Sequence, residues 1–209
     1  MSSISPRGDR RRLRIGLLGG SFNPAHAGHR QVAELARTRL GLDQVWLLVS
    51  PGNPLKPRAG MAPIARRLDS ARAIADGRRI VATDIERPLG TRYTVDTLRR
   101  LRRLFPNVRF VWLMGADSLD GFAGWRGWRD IARQVPIVVL PRPPYTHRAL
   151  AGKAAHVLAG ARRPAREAPV LALRPAPAWS FLPTMQTDIS ATALRLAADG
   201  TWPQGPTGR

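Results

Sequence analysis

Apolar residues in this chain fall into short, nearly unbroken runs, separated by stretches in which they recur every three or four positions. The runs at 13–18, 44–49, 80–83, 108–113, 136–140 and 179–182 have strand length and are rich in Val, Leu and Ile. They do not alternate with polar residues, so both faces of each strand are predicted to be covered. Helical spacing marks 28–40, 61–76, 94–104, 125–134 and 191–199. Over 94–104, Val95, Leu98, Leu101 and either Leu104 or Phe105 share one face, while Arg99, Arg100, Arg102 and Arg103 fall mainly on the others. Strands alternating with helices predict an α/β fold, a doubly wound parallel sheet with helices on both faces. The stretch 141–178 is rich in Pro, Arg and Ala and reads as loop, a short helix around 147–158, and loop. Residues 1–12 read as a disordered basic tail and 201–209 as a flexible tail, leaving one domain over 13–200.

A length of 209 residues with 44% hydrophobic content suits one domain with a real core. No apolar run approaches the roughly 18 residues of a membrane span. No apolar signal region follows the basic N-terminus, so a cytoplasmic location away from membranes is expected. Cysteine is absent, which excludes disulfides and thiolate metal sites. The net charge of +20 invites a nucleic-acid partner. Yet 32 of the 34 basic residues are Arg, a bias that genome composition alone can produce, and a positive field equally suits phosphorylated small molecules. No RNA-binding aromatic motif or zinc pattern accompanies the charge, so no nucleic-acid partner is expected.

Chemistry concentrates at Gly19-Gly20-Ser21-Phe22-Asn23-Pro24-Ala25-His26-Ala27-Gly28-His29. This segment joins a predicted strand to a predicted helix, the geometry in which helix N–H groups and the helix dipole receive an anion. Gly19 and Gly20 let a ligand approach the backbone. His26 and His29 bring donors able to carry positive charge, and a nearby phosphate favours that form. No Gly-Lys-Ser/Thr follows, so it is not a Walker loop. Near the other end, Asp188-Ile189-Ser190-Ala191-Thr192-Ala193-Leu194-Arg195 opens another predicted helix with Ser190 as N-cap. No Glu or Gln stands three residues later to occupy that helix end. Hydroxyls of Ser190 and Thr192 together with Arg195 suit a second phosphate.

These two segments resemble the nucleotidyltransferase superfamily with His-x-Gly-His and Ile-Ser-x-Thr-x-x-Arg signatures. Four further stretches narrow the resemblance to the bacterial nicotinate-nucleotide adenylyltransferases. They are Pro51-Gly52-Asn53-Pro54-Leu55-Lys56; Arg92-Tyr93-Thr94-Val95-Asp96-Thr97-Leu98; Gly115-Ala116-Asp117-Ser118-Leu119 with Trp125; and Leu140-Pro141-Arg142-Pro143. The resemblance spans 13–199 and implies a Rossmann-like sheet. It also implies transfer of AMP from ATP to nicotinate mononucleotide, giving nicotinate adenine dinucleotide and pyrophosphate, with Mg²⁺ accompanying ATP and no protein metal cage.

By the same resemblance, His26, His29 and Arg195 are catalytic. Gly19, Gly20, Ser21, Phe22, Gly115, Asp117, Ser190 and Thr192 join them in binding ATP. Lys56, Tyr93, Thr94, Trp125 and Arg126 fall on the acceptor side, with Trp125 stacking on the pyridine ring and Thr94 near the nicotinate carboxylate. Asn23 stands where many relatives have Asp, Ser21 where many have Thr, Ala191 where Ser is common, and Arg126 where some have an aromatic residue. Pantetheine-phosphate adenylyltransferases share both end signatures and are the nearest alternative; a basic RNA-binding module is a different class of reading. A class I aminoacyl-tRNA synthetase fragment would also carry His-x-Gly-His, but no Lys-Met-Ser-Lys-Ser loop is present. The resemblance leaves room for a homo-oligomer.

Overall fold

Strand β1 (Arg14–Gly20) lies at the centre of a parallel sheet, paired with β2 (Gln44–Val49) on one side and β4 (Arg109–Gly115) on the other. A computed structural model describes residues 4–52 and 60–183. β3 (Ile80–Thr83), β5 (Ile137–Leu140), β6 (Arg162–Arg163) and β7 (Trp179–Phe181) complete the order β3-β2-β1-β4-β5-β7-β6. The chain winds outward from β1 to β3, then returns to β4 and winds the other way, which is the doubly wound, Rossmann-like arrangement expected from the alternating pattern. Helices α1 (Ala27–Arg39), α2 (Ile64–Ile74), α3 (Thr94–Leu104), α4 (Ala116–Asp120), α5 (Trp128–Gln134), α6 (Thr146–Leu150) and α7 (Lys153–Val157) connect the strands. Among the described residues no helix is long and apolar enough to cross a membrane.

The unbroken apolar strands serve two cores, one on each face. Ile15 and Leu17 point with Trp46, Phe110, Trp112 and Ile137 towards α3, α4 and α5. Leu18 points with Leu47, Val111, Leu113 and Val138 towards α1 and α2. Burying a side chain of this size contributes roughly 1.5–3 kcal/mol, so alternate residues of one strand both stabilise the fold.

Three details depart from the sequence expectation. Residues 4–12 are packed rather than trailing as a disordered tail. Ile4 is buried in the α3-side core, the Asp9 N–H donates to Leu104 O at 3.2 Å, and Asn107 Nδ2 donates to Arg10 O at 3.1 Å. The segment thus caps a carbonyl that the end of α3 leaves without a helical partner. Helix α5 starts at Trp128 rather than at 125, because Gly127 is left-handed, with φ of 63°, and interrupts any helix running through it. The stretch 141–178 holds α6, α7, the short β6 and a 3₁₀ segment, Ala165–Leu173, with Pro169 inside it. The predicted helix at 191–199 and the tail 201–209 lie outside the described residues.

Candidate active site

The carboxyl ends of β1 and β4 form the topological switch point, where ligands of such sheets bind. Both predicted nucleotide motifs leave from there: the glycine turn from β1, and Gly115-Ala116-Asp117 from β4. At Gly19 a Cβ would stand 2.8 Å from the Trp112 ring, and at Gly20 a Cβ would stand 3.1 Å from the Phe22 ring. Aromatic packing thus leaves little room for a Cβ at either position, a constraint that stands beside the expected close approach of a ligand. Phe22 is a buried non-glycine residue at φ of 45°, a strained conformation of the kind that functional turns hold.

The turn ends on His26, the N-cap residue of α1, with no acidic residue in the first helical turn. The His26 backbone N–H donates to His29 Nδ1 at 3.2 Å, and the two rings lie 3.9 Å apart. An accepting Nδ1 leaves the proton of neutral His29 on Nε2. The Phe22 ring lies 5.0 Å from that of His29 and helps to bury it. Burial, then the neighbouring His26 and Arg142, push the His29 imidazole down to about 3. Burial and Arg142 also lower His26. The histidines are thus neutral donors in the free protein, and the fixed positive charge beside them belongs to Arg142. His26 Nδ1 is buried without a partner among the described residues, which suits a site awaiting a polar ligand.

Arg142 follows β5, and its Nη1 lies 2.8 Å from Asp117 Oδ2. The other oxygen, Asp117 Oδ1, is buried and has no partner among the described residues. Gly115, Asp117, Arg142, His26 and His29 are therefore neighbours at the switch point. Arg142 had carried no role in the sequence, one arginine among 32.

The described residues expected on the acceptor side fall into two contacting groups, Tyr93 with Arg126 and Trp125 with Trp112 and Phe122. Tyr93 is the N-cap of α3 and Thr94 its first residue, and no side chain caps that helix end. The Arg126 guanidinium lies 4.7 Å over the Tyr93 ring, joining two residues that the sequence had left separate. Trp125 is half-buried, edge-on to Phe122 at 5.5 Å and to Trp112 at 6.4 Å. Trp112 is the buried one of the pair and touches the space above Gly19, so it links the glycine turn to Trp125. Lys56, Ser190, Thr192 and Arg195 lie outside the described residues. Among the described residues no three His, Asp or Glu side chains gather as a metal cage.

A family model described as cytidylyltransferase-like matches residues 17–197. The chain is 62% identical over 198 residues to the probable nicotinate-nucleotide adenylyltransferase of Gluconacetobacter diazotrophicus, covering 95% of this chain and 92% of the relative. It is 64% identical over 183 residues to the protein of that name from Gluconobacter oxydans, covering 88% and 94%. Its fold matches that of Plasmodium falciparum nicotinic acid mononucleotide adenylyltransferase complexed with NaAD, with a TM-score of 0.66, 16% identity, and coverage of 88% of this chain and 82% of that one. The same enzyme complexed with APC matches with a TM-score of 0.63 and 16% identity, covering 88% and 83%.

Proposed function

This chain belongs to the nicotinate-nucleotide adenylyltransferase family within the cytidylyltransferase-like group, and from that membership we propose that it transfers AMP from ATP to nicotinate mononucleotide. The products are nicotinate adenine dinucleotide and pyrophosphate, a step of NAD biosynthesis in the cytoplasm, where ATP is available. The observation that carries this reading is the paired His26 and His29 at the start of α1, placed beside Asp117 and Arg142 at the switch point.

The acceptor phosphate is ionised at neutral pH, so no protein nucleophile is needed. One of its oxygens attacks the α-phosphorus of ATP. The bond from that phosphorus to the oxygen bridging to the β-phosphate breaks, and pyrophosphate leaves with the electron pair. The protein's part is positioning and stabilisation of the developing charge. His29 Nε2–H and His26 donate to the phosphates, the free N–H groups of α1 and the Gly19 to Phe22 turn add backbone donors, and Asp117 takes a ribose hydroxyl. Gly115 leaves room beside it. On the acceptor side, Thr94 and the first amides of α3 receive the nicotinate carboxylate, Trp125 faces the pyridine ring, and Tyr93 with Arg126 closes that side. Lys56 is assigned to the acceptor phosphate, and Ser190, Thr192 and Arg195 to the leaving pyrophosphate. Mg²⁺ arrives with ATP as part of the substrate, held by its phosphates. The catalytic domain in this reading spans 13–200, with the packed segment 4–12 added to it.

Replacement of His29 by Ala is expected to lower kcat/KM by about 10²–10³-fold, the usual effect of removing one donor to a transition state, while circular dichroism stays that of wild type. Near-wild-type turnover by a folded His29→Ala protein would overturn the reading, and so would a covalent adenylyl-enzyme trapped on the reaction path.

A further inference from the structure

Arg67 is the most unusual charged residue outside the site. It sits on α2 with only 2% of its surface exposed, and among the described residues no carboxylate pairs with it. A buried cation is costly unless its donors are satisfied. Here three of its five N–H donors are held by backbone carbonyls from separate segments. Nη1 donates to Ser21 O at 2.7 Å and to Ser50 O at 2.8 Å, and Nε donates to Ala62 O at 2.9 Å. Ser21 lies in the turn after β1, and Ser50 directly follows β2.

The Ser21 carbonyl has a specific consequence. A peptide unit is planar and trans, so its C=O and N–H point in opposite directions. Holding Ser21 O against Arg67 aims the Phe22 N–H away from α2. Phe22 is the residue at positive φ, which a side-chain-bearing residue keeps only when its surroundings over-determine it. Neighbouring bonds act in the same direction. Asn23 Nδ2 donates to Gly60 O at 2.8 Å, the Ala62 N–H donates to Asn23 Oδ1 at 3.1 Å, and the Ala25 N–H donates to Ser70 Oγ at 3.0 Å. Helix α2 and the chain leading into it form the mould of the turn.

We propose that Arg67 is a positioning residue for nucleotidyl transfer: its guanidinium ties the carbonyls of Ser21 and Ser50 together and so fixes the phosphate turn and the end of β2 relative to each other. It touches no substrate. The proposal rests on the reading that the β1 turn receives ATP.

The test uses the full chain with Arg67→Lys and Arg67→Met, and Arg72→Met as control on the exposed face of the same helix. Titration with a non-hydrolysable ATP analogue gives the number of competent sites and their Kd; turnover is then expressed per competent site. Lysine supplies the charge and three donors without the planar fork, so Arg67→Lys is expected to fold. Its Kd is expected to rise about 10-fold and its kcat per site to fall about 10–100-fold, as for a turn displaced by a fraction of an ångström to an ångström. Arg67→Met is expected to lose more, and Arg72→Met nothing.

A purely structural role would reduce the number of competent sites and leave Kd and kcat per site at wild-type values; that result overturns the proposal. An Arg67→Lys protein that does not fold overturns it as well, because stability would then be the residue's whole contribution. Failure of the functional reading looks different. Wild type would then bind the analogue poorly or transfer nothing to nicotinate mononucleotide, whatever stands at position 67.

Discussion

His29 is neutral in the free protein because it is buried beside His26 and Arg142, and that has a pH signature. Its imidazole is pushed down to about 3 from an ordinary value of 6.5, so the unfolded chain binds a proton that the folded chain does not. The stability this residue contributes is complete above pH 6.5 and is lost as pH falls through the window from 6.5 towards 3. Between pH 7 and pH 5 the loss is up to about 2 kcal/mol, and urea unfolding of wild type against His29→Gln at the two values measures it; an unchanged difference between the proteins would exclude it. Asn23 gives a second residue-scale prediction. Its amide donates to Gly60 O and accepts from the Ala62 N–H, a pair of roles that a carboxylate cannot fill. Asn23→Asp would bring two acceptors together where a donor stood, at a cost of about 1–3 kcal/mol, measurable as a lower midpoint in urea.

Among the elements, α3 and the loop before it depend on a buried acid that the sequence did not single out. Glu86 is 7% exposed; Thr97 Oγ1 lies 2.9 Å from its Oε1 and 3.0 Å from Thr91 Oγ1, and the Thr91 N–H donates to the Glu86 carbonyl at 3.0 Å. This network ties the loop to the first turn of α3, which carries Tyr93 and Thr94. Burial raises the Glu86 carboxyl from 4.5 to about 7, against the lowering effect of the Thr97 hydrogen bond. The folded protein then holds a proton that the unfolded chain releases, so stability is complete below pH 4.5 and falls as pH rises towards and through 7. The ceiling is about 3 kcal/mol. Glu86→Gln should flatten that fall and be more stable than wild type at pH 8 in thermal unfolding; a variant less stable at pH 8 would contradict it.

Six of the seven strands among the described residues were legible because continuous apolar runs have few alternatives once helices separate them, and 94–104 was legible because its apolar face repeats cleanly; β6 was not, because Arg162 and Arg163 form no apolar run. Helix α4 was not, since five residues carry no periodicity. Neither was the 3₁₀ segment with Pro169 inside, nor the packing of 4–12, which hangs on the single apolar residue Ile4. The glycine turn and the paired histidines could be read from spacing, and Asp117 from the family resemblance. Arg67 could not, because one arginine among 32 carries no signal until burial and partners distinguish it, and Arg142, though inside a quoted motif, had no role until its contact with Asp117 supplied one.

At the scale of the whole molecule, the sheet brings the ends of β1 and β4 to one crevice, and the +20 charge surrounds it with a field that favours anionic substrates over neutral ones. That field should make the KM for ATP rise with ionic strength, with screening setting in over a Debye length of about 10 Å at 0.1 M salt. It also favours the acid acceptor over its amide, which differs by one negative charge. The most direct measurement is pyrophosphate release from ATP and Mg²⁺ with nicotinate mononucleotide, nicotinamide mononucleotide and phosphopantetheine offered in parallel. Rapid release with nicotinate mononucleotide, and little with the other two, is the expected result. Equal or faster release with nicotinamide mononucleotide or phosphopantetheine, or no release from folded protein with any of the three, would contradict the acceptor site proposed at Thr94 and Trp125.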